Sequence, residues 1–420
     1  MAPSVECRRD GAETNRDALD WLNFLLADVK DGVGPFLAIF LTSSQHWDPG
    51  RAGIALTIGG LATVLARGPA GALVDSVTWK RSLIGIGAVA VAAASIAMAL
   101  YPEFWPVAIA QGLNGVADAI FPLAISAISL GIVGRSAFTK RIGRNEAWNH
   151  AGNVATAIAA GVAGYAFAPV SVLWIVAALS VGSIAAVSRV DPHAINHYAA
   201  RGEDQDAAAP EALALLLRNK PLLLFTAAIT VFHFANAAML PLAGEKLSQG
   251  KPDSSPLFIA SCIIVAQLVM VPMAILVGRK ANAWGRKPLL LGGFAALPVR
   301  GLLFAFTDDP FSVVAVQVLD GVGAGIFGAM FSIVVADFTR GTGRFNVAQG
   351  FAGASWGTGA ALSNGAAGLI VDNFGFSAAF YFLAACALTA FAILLAVPES
   401  KDYAEWNAGR GDLLAQGERA

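Results

Sequence analysis

The sequence predicts an all-α membrane protein of twelve transmembrane helices, arranged as two six-helix pseudo-symmetric bundles. Three observations predict it: a composition suited to lipid, twelve long low-charge runs, and basic residues gathered on one side of the resulting map. Apolar residues make up 56% of the 420-residue chain and charged residues 14%, and the mean hydropathy is +0.63. Soluble domains carry roughly 25% charged residues, so this chain is not an ordinary water-soluble domain. The net charge of −1 hides the useful signal, which is where the charges sit.

A hydrocarbon core about 30 Å thick takes roughly 20 apolar residues per helix. Spans are expected near 18–42, 52–74, 82–101, 105–133, 146–167 and 169–188. A second set is expected near 221–244, 255–278, 288–307, 310–336, 346–371 and 375–397. Residues 1–17 hold Glu6, Arg8, Arg9, Asp10, Glu13, Arg16 and Asp17 and no apolar core, so no cleavable signal peptide is expected and the first helix directs insertion. The chain therefore reads as an N-tail (1–17), a six-helix bundle (18–188), a linker (189–219), a second bundle (220–398) and a C-tail (399–420). The linker carries an acidic, Ala-rich stretch from Glu203 to Glu211 and then a short interfacial helix over Leu213 to Leu217. Cys7, Cys262 and Cys386 suggest no disulfide framework.

Basic residues test the map independently. With both termini in the cytoplasm, 22 of the 28 Lys and Arg residues fall in the tails, the linker and the loops on that side. Arg51, Lys246 and Lys251 lie opposite, and Lys30, Arg67 and Arg300 fall inside spans. This is the positive-inside pattern of a multi-pass protein of the cytoplasmic (inner) membrane.

The halves also repeat. Pro35 corresponds to Pro241, Gly71 to Gly278, Gln111 to Gln317, and Ala159-Ala160-Gly161 to Ala366-Ala367-Gly368, at offsets of 206 or 207 residues. Six spans per half return both halves to the same sense, so their symmetry axis is expected along the membrane normal, with a central cavity.

Over its whole length the chain resembles the major facilitator superfamily, loosely its drug/proton antiporter branch. The loop between helices 2 and 3 keeps Gly71, Asp75, Lys80 and Arg81 of the family's signature, with Thr78 where a second Gly is usual. Its counterpart between helices 8 and 9 keeps Gly278, Gly285, Arg286 and Lys287, with Asn282 in place of the acid. The resemblance implies a gating role for these loops; a plain positive-inside loop is the alternative. Two antiporter features are missing: Ala108 stands where an Arg precedes the Gln111-Gly112 pair, and Gly152 to Gly164 contains no proline.

Ionisable residues near the bilayer centre cost roughly 2.5–3.5 kcal/mol each on insertion scales, so they should face a cavity or a partner. Helix 1 holds Asp28 and Asp31 on one face with Lys30 between them, beside Gly32 and Gly34-Pro35. A carboxylate in such a place can load and release a proton near neutral pH, making Asp31 the first coupling candidate and Asp28 the second. The alternative is a buried ion pair that only orders helices. Helix 4 presents Gln111, Asn114 and Asp118 as a polar stripe, and helix 10 answers with Gln317 and Asp320. Helix 5 carries Glu146, Asn149, His150 and Asn153, and helix 7 His233 and Asn236. In the resembled fold these helices line the cavity, so the polar groups are substrate-contact candidates; singly, each amide also serves as helix–helix glue. Arg300 is expected to reach a carboxylate, with Asp320 a candidate, and Arg67 to pair with Asp28 or Glu146 or contact an anionic substrate. Neither His150 nor His233 has metal-ligand spacing around it, and no metal or cofactor is expected.

No Walker motif, His-Glu-x-x-His, Cys-x-x-Cys or Gly-x-Ser-x-Gly occurs, so an enzyme is not expected. The expected function is secondary active transport of a small organic solute by alternating access, coupled to protons and directed outward. A metabolite symporter or facilitator, or a receptor or scaffold on the same fold, are the alternatives. The expected partners are the solute, protons and the lipid bilayer, with no nucleic acid, and the expected state is a monomer.

Overall fold

The computed structural model describes residues 5–31, 37, 40–203, 216, 218–250 and 255–403, with side chains described throughout except at 5–12, 28–31, 43, 49, 165, 248–250 and 255–260. The described residues form helices joined by short turns, with no strand among them. The first six are α1 (Val5–Asp31), α2 (Pro49–Ser76), α3 (Lys80–Leu100), α4 and α5 within Phe104–Ala166, and α6 (Ser171–Ser188). Gly134, at φ 66°, divides that long helix into α4 (104–133) and α5 (135–166). The second six are α7 in two segments (Lys220–Ala237 and Met239–Gly250), α8 (Ser255–Trp284), α9 (Arg286–Phe306), α10 (Pro310–Phe338), α11 (Phe345–Phe374) and α12 (Phe376–Ala396).

Among the described residues nine helices are long and apolar enough to cross a membrane, and one of them, 104–164, is long enough to cross twice. Their outer faces carry Leu65, Ile86, Phe306 and Phe311 exposed, as helices solvated by lipid require. Trp79 and Trp284 stand exposed just before α3 and α9, where an aromatic ring suits the headgroup layer.

Two stretches differ from the spans expected. The charged N-tail is helical from Val5. Residues 134–145, expected as a loop, are the first turns of α5 past Gly134; helix here places Arg141 and Arg144 three residues apart on one face, where both reach Asp20. In the linker, Pro192–Ala194 forms a 3-10 turn and His197–Ala200 one helical turn. The turn sits on the end of α4, with Asn196 N donating to Gly131 O at 3.0 Å. The interfacial helix expected near Leu213, apart from Leu216, lies outside the described residues.

The chain divides into two compact units, Met1–Arg201 and Gly202–Ala420. Within the first, α2 packs on α4, α1 on α5 and α6, and α3 on α4 and α6. Within the second, α8 packs on α10, α7 on α11 and α12, and α9 on α10 and α12. The second set is the first advanced by six helices.

Small residues set these crossings, as expected where lipid competes equally for apolar side chains and only close packing favours helix association. A Cβ added at Gly152 in α5 would come within 2.2 Å of Phe24 O in α1, and one at Gly359 in α11 within 2.4 Å of Thr230 O in α7. Gly115 approaches Gly59 O in α2 and Gly321 approaches Ala266 O in α8 in the same way. Each pair of glycines recurs at the 206–207 offset already visible in the sequence. The repeat therefore preserves the contacts that fix helix separation.

Candidate functional site

The second unit gathers a polar cluster inside its helices. Arg300, placed by α9 two residues after Pro298, is only 1% exposed. Its Nη1 donates to Asp320 Oδ1 at 2.7 Å and to Asn236 Oδ1 at 2.5 Å, and its Nη2 donates to Gln317 Oε1 at 3.0 Å. Gln317 and Asp320 lie one turn apart on α10 and Asn236 lies at the end of the first segment of α7, so three helices converge on one guanidinium. Cys262 of α8 lies close enough to feel the charges of Arg300 and Asp320. Arg300 Nε and Gln317 Nε2 are buried and have no hydrogen-bond partner among the described groups. The Asp320 side chain keeps 17% of its surface accessible while its partner keeps 1%. A cation held out of water needs a compensating carboxylate, and Asp320 is the more exposed member of the pair.

Beside it, His233 of α7 donates its Nδ1–H to Ile229 O at 2.8 Å. Its ring packs 4.4 Å from Trp356 of α11 and 4.6 Å from Phe327 of α10. The result is an aromatic cluster in which His233 lies one turn from Asn236 on α7 and Phe327 two turns from Asp320 on α10.

Asn114 Nδ2 donates to Gln111 Oε1 at 3.3 Å on α4, and Gln111 packs against Gly59 of α2. Asp118, one turn on, is half-buried. On α5, Asn149, His150 and Asn153 are buried and Glu146 is half-buried. Arg67 is half-buried on α2. Asp28, Lys30 and Asp31 form the last turn of α1 in backbone, and their side chains lie outside the described residues.

One cluster has no counterpart among the sequence candidates. Asp20 of α1, 4% exposed, accepts from Arg141 Nη2 at 2.5 Å and from Arg144 Nε at 2.8 and 2.9 Å. Arg141 Nε donates to Asn145 Oδ1 at 2.7 Å, and Asn145 Nδ2 donates to Ser129 Oγ of α4 at 2.8 Å. The only hint in the sequence was an Arg pair three apart at the start of a helix with an acid in the first span.

The signature loops take different forms. Between α8 and α9 the junction is one residue, Gly285, at φ 90°, a conformation that glycine adopts without steric cost. Arg286 Nε donates to Asp337 Oδ2 at 3.0 Å, and Glu399 accepts from the backbone N–H of both Arg286 and Lys287 at 2.9 Å. Gly278 lies inside α8. Between α2 and α3 the junction is three residues, 77–79, with no left-handed residue, so Thr78 meets no strain where the other loop requires glycine. Gly71 and Asp75 are buried in the last turns of α2 and Lys80 is buried at the start of α3. Arg81 donates to the carbonyls of Val187 and Ser188 at 3.3 and 3.0 Å, tying α3 to the end of α6.

Among the described residues no group of three His, Cys, Asp or Glu side chains is placed to hold a metal ion.

Comparison with known proteins converges on one family. The model of the Major Facilitator Superfamily matches residues 21–297 and 252–416. An MFS-type transporter of Mycobacterium tuberculosis is 47% identical over 390 residues, covering 92% of this chain and 93% of its own length. Among solved structures, the MFS transporter FucP in its outward conformation superposes with a TM-score of 0.72 at 13% identity, covering 93% of this chain and 100% of that one. The proton:xylose symporter XylE superposes with a TM-score of 0.70 at 12% identity, covering 93% and 96%. On the family match, the near-full-length relative and a fold shared with these transporters, the chain belongs to the major facilitator superfamily: it is a membrane transporter and not an enzyme.

Proposed function

We propose that this protein is a proton-coupled secondary transporter of a small organic solute, working outward by alternating access as a monomer in the cytoplasmic membrane, with both termini in the cytoplasm. The observation that carries the coupling reading is the Arg300–Asp320 pair: a fully buried cation whose compensating carboxylate is partly accessible. Protonating Asp320 would leave the guanidinium to Asn236 and Gln317 alone, so proton binding and the arrangement of α7, α9 and α10 are linked. Asp31 and Asp28 in the last turn of α1 stand as the coupling candidates of the other unit. Two solved structures with this fold, XylE and FucP, are described as proton symporters, which supports protons as the coupling ion. The outward direction rests on the mixed polar and apolar character of the candidate contacts, His233 and Trp356 among them, with no basic cluster dedicated to an anionic metabolite.

The test is proton flux in proteoliposomes under an imposed pH gradient, over a panel of solutes, for the native chain, Asp31→Asn and Asp320→Asn. Solute-dependent proton movement abolished by either substitution establishes coupling through that residue, and its sign separates antiport from symport. Solute movement without protons in the native chain replaces the reading with a facilitator.

A further inference from the structure

A cleft of about 580 Å³ opens in the first unit between the turn that joins α2 to α3, the last turns of α6 and the chain that follows α6. Arg81 and Ser82 form one wall, His193 and His197 face them, and Trp79 stands exposed at the rim. Ile184 continues the lining down into the span of α6. This is an amphipathic space at the end of two membrane helices, polar above and apolar below.

Its charged groups are mostly basic. The two bonds of Arg81 go to backbone carbonyls, which hold the guanidinium in place and leave its charge uncompensated. Burial, and then the positive charges of Lys80 and Arg201, hold the His197 imidazole below its ordinary pKa, so three basic groups already crowd this corner. His197 Nδ1 is itself buried with no hydrogen-bond partner among the described groups. Of the nearby carboxylates, Asp75 acts on Lys80, while Asp191 accepts from the backbone N–H of His193 at 2.9 Å and keeps its negative charge at the edge of the cleft. The first turn of α3 has no side-chain cap, so its N–H groups add to the same field.

We propose that this cleft binds a phosphate-bearing anion, held by Arg81, His193 and His197. The headgroup of an anionic phospholipid and a free phosphate share that chemistry. The site lies wholly within the first unit and uses none of the coupling candidates, although Arg81 also belongs to the α2–α3 signature loop.

The test uses the purified full chain in detergent and native mass spectrometry with phosphatidylglycerol, phosphatidylcholine and inorganic phosphate. Two variants accompany the native chain: Arg81→Gln, and the double variant His193→Gln/His197→Gln, which leaves the Arg81 bonds to α6 intact and guards against a folding defect. Phosphatidylglycerol is expected to be retained about tenfold over phosphatidylcholine, with a loss of roughly fivefold for Arg81→Gln, which removes a cationic group near an anionic surface, and a smaller loss for the double histidine variant, which removes hydrogen-bonding groups. Retention that millimolar phosphate does not displace identifies the lipid as the ligand. Phosphate that binds with the same dependence on the variants and displaces the lipid identifies a free phosphate. Equal retention of the two lipids with no phosphate bound, or an anion preference that survives both variants, overturns the proposal.

Discussion

In the second unit, Arg300 meets Asp320, Gln317 and Asn236 well inside α9, α10 and α7. In the first unit the same frame is occupied differently. At the repeat offset of 206 residues, Ala94 stands where Arg300 stands, Asn114 where Asp320 stands, and Gln111 where Gln317 stands. Asn114 and Gln111 are hydrogen-bonded to each other as a neutral pair. The described ion-pair cluster of the first unit lies instead near the start of α5, where Asp20 of α1 holds Arg141 and Arg144, and Thr226 takes the place of Asp20 in the second unit. The two units thus share helix pairings and glycine crossings but not the depth at which charge is buried. Charge at a helix end can keep water on one side, as Arg144 does at 44% exposure. Charge in mid-helix must be compensated inside the protein, at a cost of several kcal/mol if a partner is lost. A fold that repeats its packing can therefore bury its ion pairs differently in its two halves.

Substitutions in the two clusters sharpen this contrast. Asp320→Asn leaves Arg300 buried without its carboxylate and is expected to cost about 3–5 kcal/mol, read as thermal or denaturant unfolding in detergent. The double variant Arg300→Ala/Asp320→Asn reproduces the Ala94/Asn114 arrangement of the first unit and should recover at least half of that loss. A double variant as unstable as the single one would show that the two frames are not interchangeable.

At the helix-end cluster the effect is smaller. Asp20→Asn removes the shared acceptor of two arginines and should cost about 2–3 kcal/mol, since Arg141 is buried. Arg144→Gln, at a half-open position, should cost less than about 1 kcal/mol. If the Arg144 substitution matched the Asp20 one, the cluster would be as desolvated as that of Arg300 and the contrast of depth would fail.

The crossings should respond alike. Gly152→Val and Gly359→Val each drive a side chain into the facing backbone, at about 1–3 kcal/mol. A difference above about 1 kcal/mol between them in matched unfolding experiments would mean that the repeat preserves residue type without preserving separation.

Much of this was legible before any coordinates. Span positions, apart from the first helix, which runs Val5–Asp31, and the long helix through Gly134, follow hydropathy, and the offset of 206–207 led directly to equivalent glycines in equivalent crossings. Gln317 and Asp320 stood out as a polar pair on helix 10, and Arg300 as a charge needing a partner. Asp20 did not stand out, because its partners are more than 120 residues away. The two signature loops looked like variants of one motif, yet a one-residue and a three-residue junction distinguish them.

The sequence by itself determined the membrane class, the twelve-helix count and the two-fold repeat, because each depends on local sums of transfer free energy and on spacing along the chain. Only the tertiary structure decided which polar groups meet: Asp20 with Arg141 and Arg144, Arg300 with three residues on two helices, Glu399 with the α8–α9 junction. Those meetings depend on how each helix is rotated and how closely it crosses its neighbour. Backbone approaches at Gly152, Gly359, Gly115 and Gly321 set that geometry, and no sum over a single segment contains it.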